Sequence, residues 1–126
     1  MSTEYLPGSC NIGPQEIRSR QMVALFGAVL TIITALTLIS TDQSKSARLS
    51  IFLPAAIFSI GFIQSRSKFC LAYGLAGTFN LGKLGQVSKV ASLQDRKADR
   101  KTAVLILLKS LALAAVITAV FYALPL

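Results

Sequence analysis

Apolar residues in this chain fall in long unbroken blocks instead of recurring at the spacing of an amphipathic helix. The first block, Met22 to Ile39, carries no charge and is long enough for a membrane-spanning helix. Arg18 and Arg20 precede it, and Ser40, Thr41, Asp42 and Gln43 end it. The last block, Ala103 to Leu124, is the longest. As a helix it rises about 33 Å, enough to cross a hydrocarbon core of ~30 Å. Ser92 with Asp95 three positions on has the spacing of a helix cap. This helix is therefore expected to begin near Leu93, outside the membrane, and Pro125 ends it. The middle block, Leu49 to Ile63, is shorter, about 22 Å of helix. It crosses if Arg48 snorkels outward and Gln64 reaches the opposite interface. A re-entrant hairpin is the alternative for this block, and Pro54 lies in its first turns, where a kink is tolerable.

The pattern predicts an all-α integral membrane protein forming a single membrane domain over residues 1–126. Its spans lie at about 22–39, 48–64 and 103–124, with interfacial or cytoplasmic helices in the 66–101 connection. Residues 1–21 are polar and broken by Pro7, Gly8, Gly13 and Pro14, although Pro14 suits the first turn of a short helix. No apolar run precedes Cys10 or the first block, so the first spanning helix is expected to direct insertion itself. In the connection, Phe69 to Leu81 is apolar but too short to span, and Gly74, Gly77, Gly82 and Gly85 supply turns. It is expected at the interface or beneath the helices. After it, Val87, Val90, Ala91 and Ala98 can share one helical face, with Lys89, Arg96, Lys97 and Arg100 largely off it.

Composition supports this reading: 53% of residues are hydrophobic and 14% charged, well under the roughly 25% usual in soluble domains. A net charge of +8 would suggest nucleic acid in a soluble protein. Here its distribution follows membrane topology instead. Ten Lys and Arg fall before the first span and in the second connection, against two in the first connection (Lys45 and Arg48). The positive-inside rule then places the N-terminus in the cytoplasm and the C-terminus outside. Arg66, Lys68, Lys89, Arg96, Lys97, Arg100 and Lys101 become candidate contacts to anionic lipid headgroups, and no nucleic-acid partner is expected.

Chemistry-bearing residues are few. Histidine is absent, which removes the commonest metal ligand and general base; no metal and no cofactor are expected. Lys109 is the one ionisable residue inside a span and hence a candidate polar site, although it sits close enough to the cytoplasmic end to snorkel. Cys10 and Cys70 fall on the cytoplasmic side, where a structural disulfide is disfavoured. They read either as two inert thiols or as a redox pair, with Arg18 or Lys68 near enough to favour a thiolate. Small residues mark expected helix-packing stripes, for contact within the chain or with another subunit: Ala24, Ala28, Thr31 and Ala35 on the first span, and Ala112, Ala115, Ala119 and Ala123 on the third.

Asn11-Ile12-Gly13 with Glu16-Ile17-Arg18 before the first span, and Phe69-Cys70-Leu71-Ala72-Tyr73-Gly74-Leu75-Ala76-Gly77-Thr78 after the second, carry a family resemblance. Over residues 10–80 the chain resembles the YgaP-like transmembrane domain family of small inner-membrane helical hairpins, some fused to a rhodanese. Leu71 stands where that family has proline, the chain has no rhodanese segment, and Ala103 to Leu124 adds a third span. The resemblance implies a bacterial inner membrane, a tendency to dimerise and a motif role for Cys70. The leading functional expectation is a non-catalytic accessory or scaffold subunit, not an enzyme, joined to other membrane subunits or to itself. A thiol- or sulfur-handling membrane protein using Cys10 and Cys70, and a small channel or holin-like pore, are the two alternatives.

Overall fold

A computed structural model describes residues 5–82 and 86–125, so Lys83 and Gly85 lie outside the described residues. Helix α1 spans Pro14–Ser40. A 3-10 helix at Lys45–Ile51 leads directly into α2, Phe52–Ser67. A short α3, Leu71–Ala76, is followed by a two-stranded antiparallel hairpin of β1, Thr78–Phe79, and β2, Ser88–Lys89. The long helix α4 covers Leu93–Ala123. Three of these helical segments are long and apolar enough to cross a membrane.

Each span extends past its apolar block because polar residues at its ends find partners. Pro14 opens α1 as a first-turn residue with no N–H to satisfy, and the helix runs unbroken from there into the first block. The N-terminus of α4 is capped as expected, with the Ser92 hydroxyl accepting from the Asp95 N–H at 3.4 Å. Its 31 residues rise about 46 Å, more than the ~30 Å needed to cross a hydrocarbon core.

The middle span is where the chain departs most from its apolar block. Taken together, Lys45–Ser67 is 23 residues long, apolar enough to cross a membrane, and runs antiparallel to α1 along its length. The 3-10 portion adds reach, since its rise per residue is about 2 Å against about 1.5 Å for α-helix. Pro54 explains why the geometry changes where it does: it lacks an N–H, and its ring crowds the Ser50 carbonyl one turn back. At the far end, Gln64 is buried and its side-chain oxygen accepts from the Leu71 N–H at 2.9 Å.

Helix α2 packs against both α1 and α4. Above Ile51 a cleft of about 370 Å³ separates α1 (Thr31, Ile32, Ala35) from α4 (Val116, Phe121). Two glycines set the α1–α2 approach. A methyl group on Gly27 would stand 2.3 Å from the Phe58 backbone nitrogen, and one on Gly61 would stand 2.6 Å from that of Ala24. Backbones this close maximise van der Waals contact, which holds helices together where lipid removes the hydrophobic drive. Ser59, Thr31, Ser110 and Thr118 donate to carbonyls four residues back at 2.7–2.8 Å, so their hydroxyls are satisfied within their own helices. The outward faces are apolar: Met22, Phe26, Ile32, Leu36, Val116 and Val120 are all exposed.

Of the two contacts open to the α4 small-residue stripe, the internal one is absent: Ala112, Ala115, Ala119 and Ala123 are exposed, while Ala103, Ile106, Ser110, Ala114, Thr118 and Phe121 are buried on the opposite side. An evenly apolar helix offers no moment to choose a face, and contact with α2 and the end packing around Phe69 choose it instead. The helical face expected at Val87, Val90, Ala91 and Ala98 is also absent. Ser88–Lys89 pairs with Thr78–Phe79, Val90 is buried with its N–H on the Gly77 carbonyl at 2.9 Å, and Ala98 belongs to α4.

At the C-terminal end of α4 the Arg48 guanidinium donates to the carbonyls of Tyr122 at 3.0 Å and Leu124 at 2.8 Å. A cation there satisfies orphan carbonyls and complements the helix dipole. Arg48→Ala is expected to cost about 1 kcal/mol and to fray the last turn. Hydrogen exchange of residues 119–124 should speed up while that of residues 103–110 stays unchanged.

Candidate functional site

The polar residues of the chain converge at the end of the bundle where α1 begins. Asn11 is the hub of this region. It is fully buried, its side-chain oxygen accepts from the Cys70 N–H at 2.7 Å, and its side-chain nitrogen donates to the Cys70 carbonyl at 3.1 Å. Its own backbone N–H reaches the Lys68 carbonyl, and its carbonyl accepts from the Asn80 N–H. One residue therefore ties the N-terminal segment to the α2–α3 turn and to the connection after β1.

Beside it lies a charged network. Glu16 and Arg20 stand four residues apart on α1, the spacing at which helical side chains meet. Arg20 Nη1 lies 3.2 Å from Glu16 Oε1. The other Glu16 oxygen accepts from the Tyr73 hydroxyl and, at 3.5 Å, from Asn80 Nδ2. Arg20 Nη2 points at the Cys70 sulfur from 2.9 Å, and the guanidinium sits over the Tyr73 ring at 5.8 Å. The cation beside this thiol is thus Arg20; Arg18 and Lys68, the cations expected there, are both exposed. Cys70 is 2% exposed and packs with Ile12, Ile17 and Tyr73. Cys10 is also buried and free, its thiol donating to the Ile12 carbonyl at 3.5 Å.

A second buried carboxylate, Asp99 on α4, carries no signal in the sequence because its neighbours are basic and its stretch of helix looks solvated. It is fully buried and accepts from the Tyr5 hydroxyl at 2.5 Å and the Gly8 N–H at 2.7 Å. Burial, and then the bond to Asp99, push the Tyr5 hydroxyl well above its ordinary pKa. Burial and then the Glu16 bond raise Tyr73 likewise. Both phenols therefore stay protonated donors below the ordinary tyrosine value of about 10, and their contribution is lost only as pH rises through the higher folded values. In a spectrophotometric titration, Tyr5→Phe and Tyr73→Phe should each remove a late-titrating phenol.

The remaining candidates do not join this cluster. Lys109 is exposed on the outside of α4. Arg66, Lys68, Lys89, Lys97, Arg100 and Lys101 are exposed around the same end of the bundle. Arg96 is different: its Nε donates to the Val90 carbonyl at 2.8 Å, so it buttresses the hairpin. Among the described residues no three His, Cys, Asp or Glu side chains gather to hold a metal ion. No family model matches the chain, and no curated protein or solved structure shows significant similarity to it.

Proposed function

We propose that the chain is a multi-pass protein of a bacterial inner membrane whose working group is the Cys70 thiol, held at the cytoplasmic end of the bundle. The contact between Arg20 and the Cys70 sulfur carries this reading. A guanidinium aimed at sulfur is the charge complement of the thiolate through which cysteine chemistry proceeds. Glu16 orients that guanidinium from the next turn, and Asn11 fixes the Cys70 backbone from both sides. The ten-to-two excess of Lys and Arg supports a cytoplasmic N-terminus and an outside C-terminus. The exposed basic residues around the same end suit anionic headgroups as their partner.

Two measurements test the thiol reading. In cells, Cys70→Ser should reproduce the growth defect of a deletion strain under oxidant or sulfur limitation; full complementation by Cys70→Ser would sink it. In purified protein carrying Cys10→Ser, Arg20→Gln should slow iodoacetamide alkylation of Cys70 about tenfold, the effect of losing one charge-assisted hydrogen bond. Arg20→Lys, which keeps the cation, should retain most of the rate.

A scaffold role is the second reading, favoured by the outward stripe of Ala112, Ala115, Ala119 and Ala123, which leaves one side of α4 able to approach another helix closely. Purification in mild detergent followed by native mass spectrometry separates the two. A lone monomer would remove the scaffold reading without touching the thiol.

A further inference from the structure

The segment from Tyr5 to Ile12 lies across the end of the bundle as a strap. Its tip is a tight turn in which Leu6 and Cys10 exchange backbone hydrogen bonds at 2.9 Å, with Gly8 at a positive φ of 72° that favours glycine. The tip is anchored to one turn of α4. Gly8 N–H donates to Asp99, Thr102 Oγ1 donates to the Gly8 carbonyl at 2.8 Å, and the Tyr5 hydroxyl takes the other Asp99 oxygen. The Tyr5 ring stacks on Phe79 with centroids 4.6 Å apart. None of these groups belongs to the network around Arg20.

The root of the strap covers the thiols. Cys10 is part of it, Asn11 grips the Cys70 backbone, and Ile12 packs against the Cys70 side chain. With the strap down, Cys10 is 6% exposed and Cys70 2%.

We propose that this strap is a gate over the two thiols and that Asp99 is its latch. The design of the latch argues for opening as a unit. The donors that Tyr5 and Gly8 bring to Asp99 both belong to the strap, and among the described residues no cation lies within ion-pair distance of it. A buried carboxylate is tolerated only while its donors are in place. Lifting the tip removes both donors at once and admits water to Asp99, so the carboxylate is not left dry and unpaired in the open state. Closed and open forms are therefore each self-consistent at Asp99, and uncovering Cys70 also turns its N–H and carbonyl from Asn11 to water. Asp99 also touches the site from below: its carbonyl lies 3.0 Å from where a methyl on Gly74 would stand, and the Gly74 N–H bonds to the Cys70 carbonyl. The inference rests on the thiol reading for its purpose, but its test reads access alone.

The test follows N-ethylmaleimide labelling of Cys70 by intact mass in full-length Cys10→Ser protein in lipid nanodiscs. Asp99→Asn should raise the labelling rate about tenfold, and Tyr5→Phe should raise it less, since the open population tracks the hydrogen bonds lost. Ser110→Cys, buried deep in the bundle, serves in a cysteine-free background as a reporter of global unfolding and should stay unlabelled when Asp99→Asn is added. A lock gives the converse. A side chain at position 8 is strained at this φ and its Cβ meets Thr102 Oγ1 at 3.3 Å, but it stands 3.6 Å from the Ala98 Cβ, within disulfide reach; oxidised Gly8→Cys/Ala98→Cys should therefore suppress labelling relative to the same variant reduced. Unchanged rates in Asp99→Asn, or a lock that does not slow labelling, would overturn the gate. If Asp99→Asn unfolds the bundle, the lock decides alone. Cys70→Ser without a growth phenotype would remove the biological purpose and leave the gate intact.

Discussion

Gly27→Leu is expected to separate α1 from α2 and to be among the most destabilising single changes in the protein. The added carbon atoms would enter space already held by the Phe58 backbone, whose nitrogen and Cα lie 2.3 and 2.6 Å from where the first of them must stand. A flexible side chain could swing aside, but a helix backbone moves only if the axes part. Overpacking costs about 1–3 kcal/mol where neighbours can shift, so roughly 3 kcal/mol or more is expected here. The loss extends beyond the clash, because parting the axes weakens the whole α1–α2 seam, including Gly61 against Arg20 and Ala24. Leu25→Ala on the exposed face of the same helix is the control, with an effect within about 0.5 kcal/mol. The fraction of SDS needed to half-unfold each variant in mixed micelles reads both. Equal midpoints for Gly27→Leu and Leu25→Ala would mean that the helices do not cross as described.

Glu16→Ala is the second large effect and acts through charge. Glu16 is 3% exposed and serves Arg20, Tyr73 and Asn80 together. Its removal leaves a half-buried guanidinium without its carboxylate and the Tyr73 hydroxyl without its acceptor. Breaking one side of a buried pair costs about 3–5 kcal/mol; with Arg20 still partly reached by water, the lower end is expected. Glu16→Gln keeps an acceptor for Tyr73 and should cost less. The double change Glu16→Leu/Arg20→Met should recover much of the loss, because it removes the stranded cation as well. The same double variant should label slowly at Cys70 despite regained stability, which separates the structural value of the pair from its service to the sulfur. A Glu16→Ala cost under about 1 kcal/mol would show that water reaches the network freely.

The candidate site was legible in fragments. Cys10 and Cys70 were visible as a pair of thiols, and Glu16 and Tyr73 lay in the stretches that carry the family resemblance. Arg20 did not stand out against Arg18, although its spacing of four from Glu16 is the better helical pairing. Asn80 and Asp99 gave no sequence signal. An asparagine among turn residues and an aspartate in a run of lysines and arginines both look solvated, and only their burial distinguishes them. The basic residues were legible as a group, but Arg96 was not separable from Lys97 and Arg100 without its bond to the Val90 carbonyl.

Local chemistry alone determined the three long apolar helices, the Ser92 cap of α4 and the excess of cations at one end, because each depends on runs or spacings within a short stretch of chain. Only the tertiary structure decided which side of α4 is buried and how far the middle span reaches. An evenly apolar helix has no preferred face until a neighbour such as α2 supplies one. The meeting of Asn11, Glu16, Arg20, Cys70, Tyr73 and Asn80 was likewise undecided by the sequence. Arg20 reaches Cys70 across 50 positions of chain, and Glu16 reaches Asn80 across 64. No local propensity encodes such a closure; it follows from α1 and α2 packing antiparallel and bringing the two ends of that stretch together.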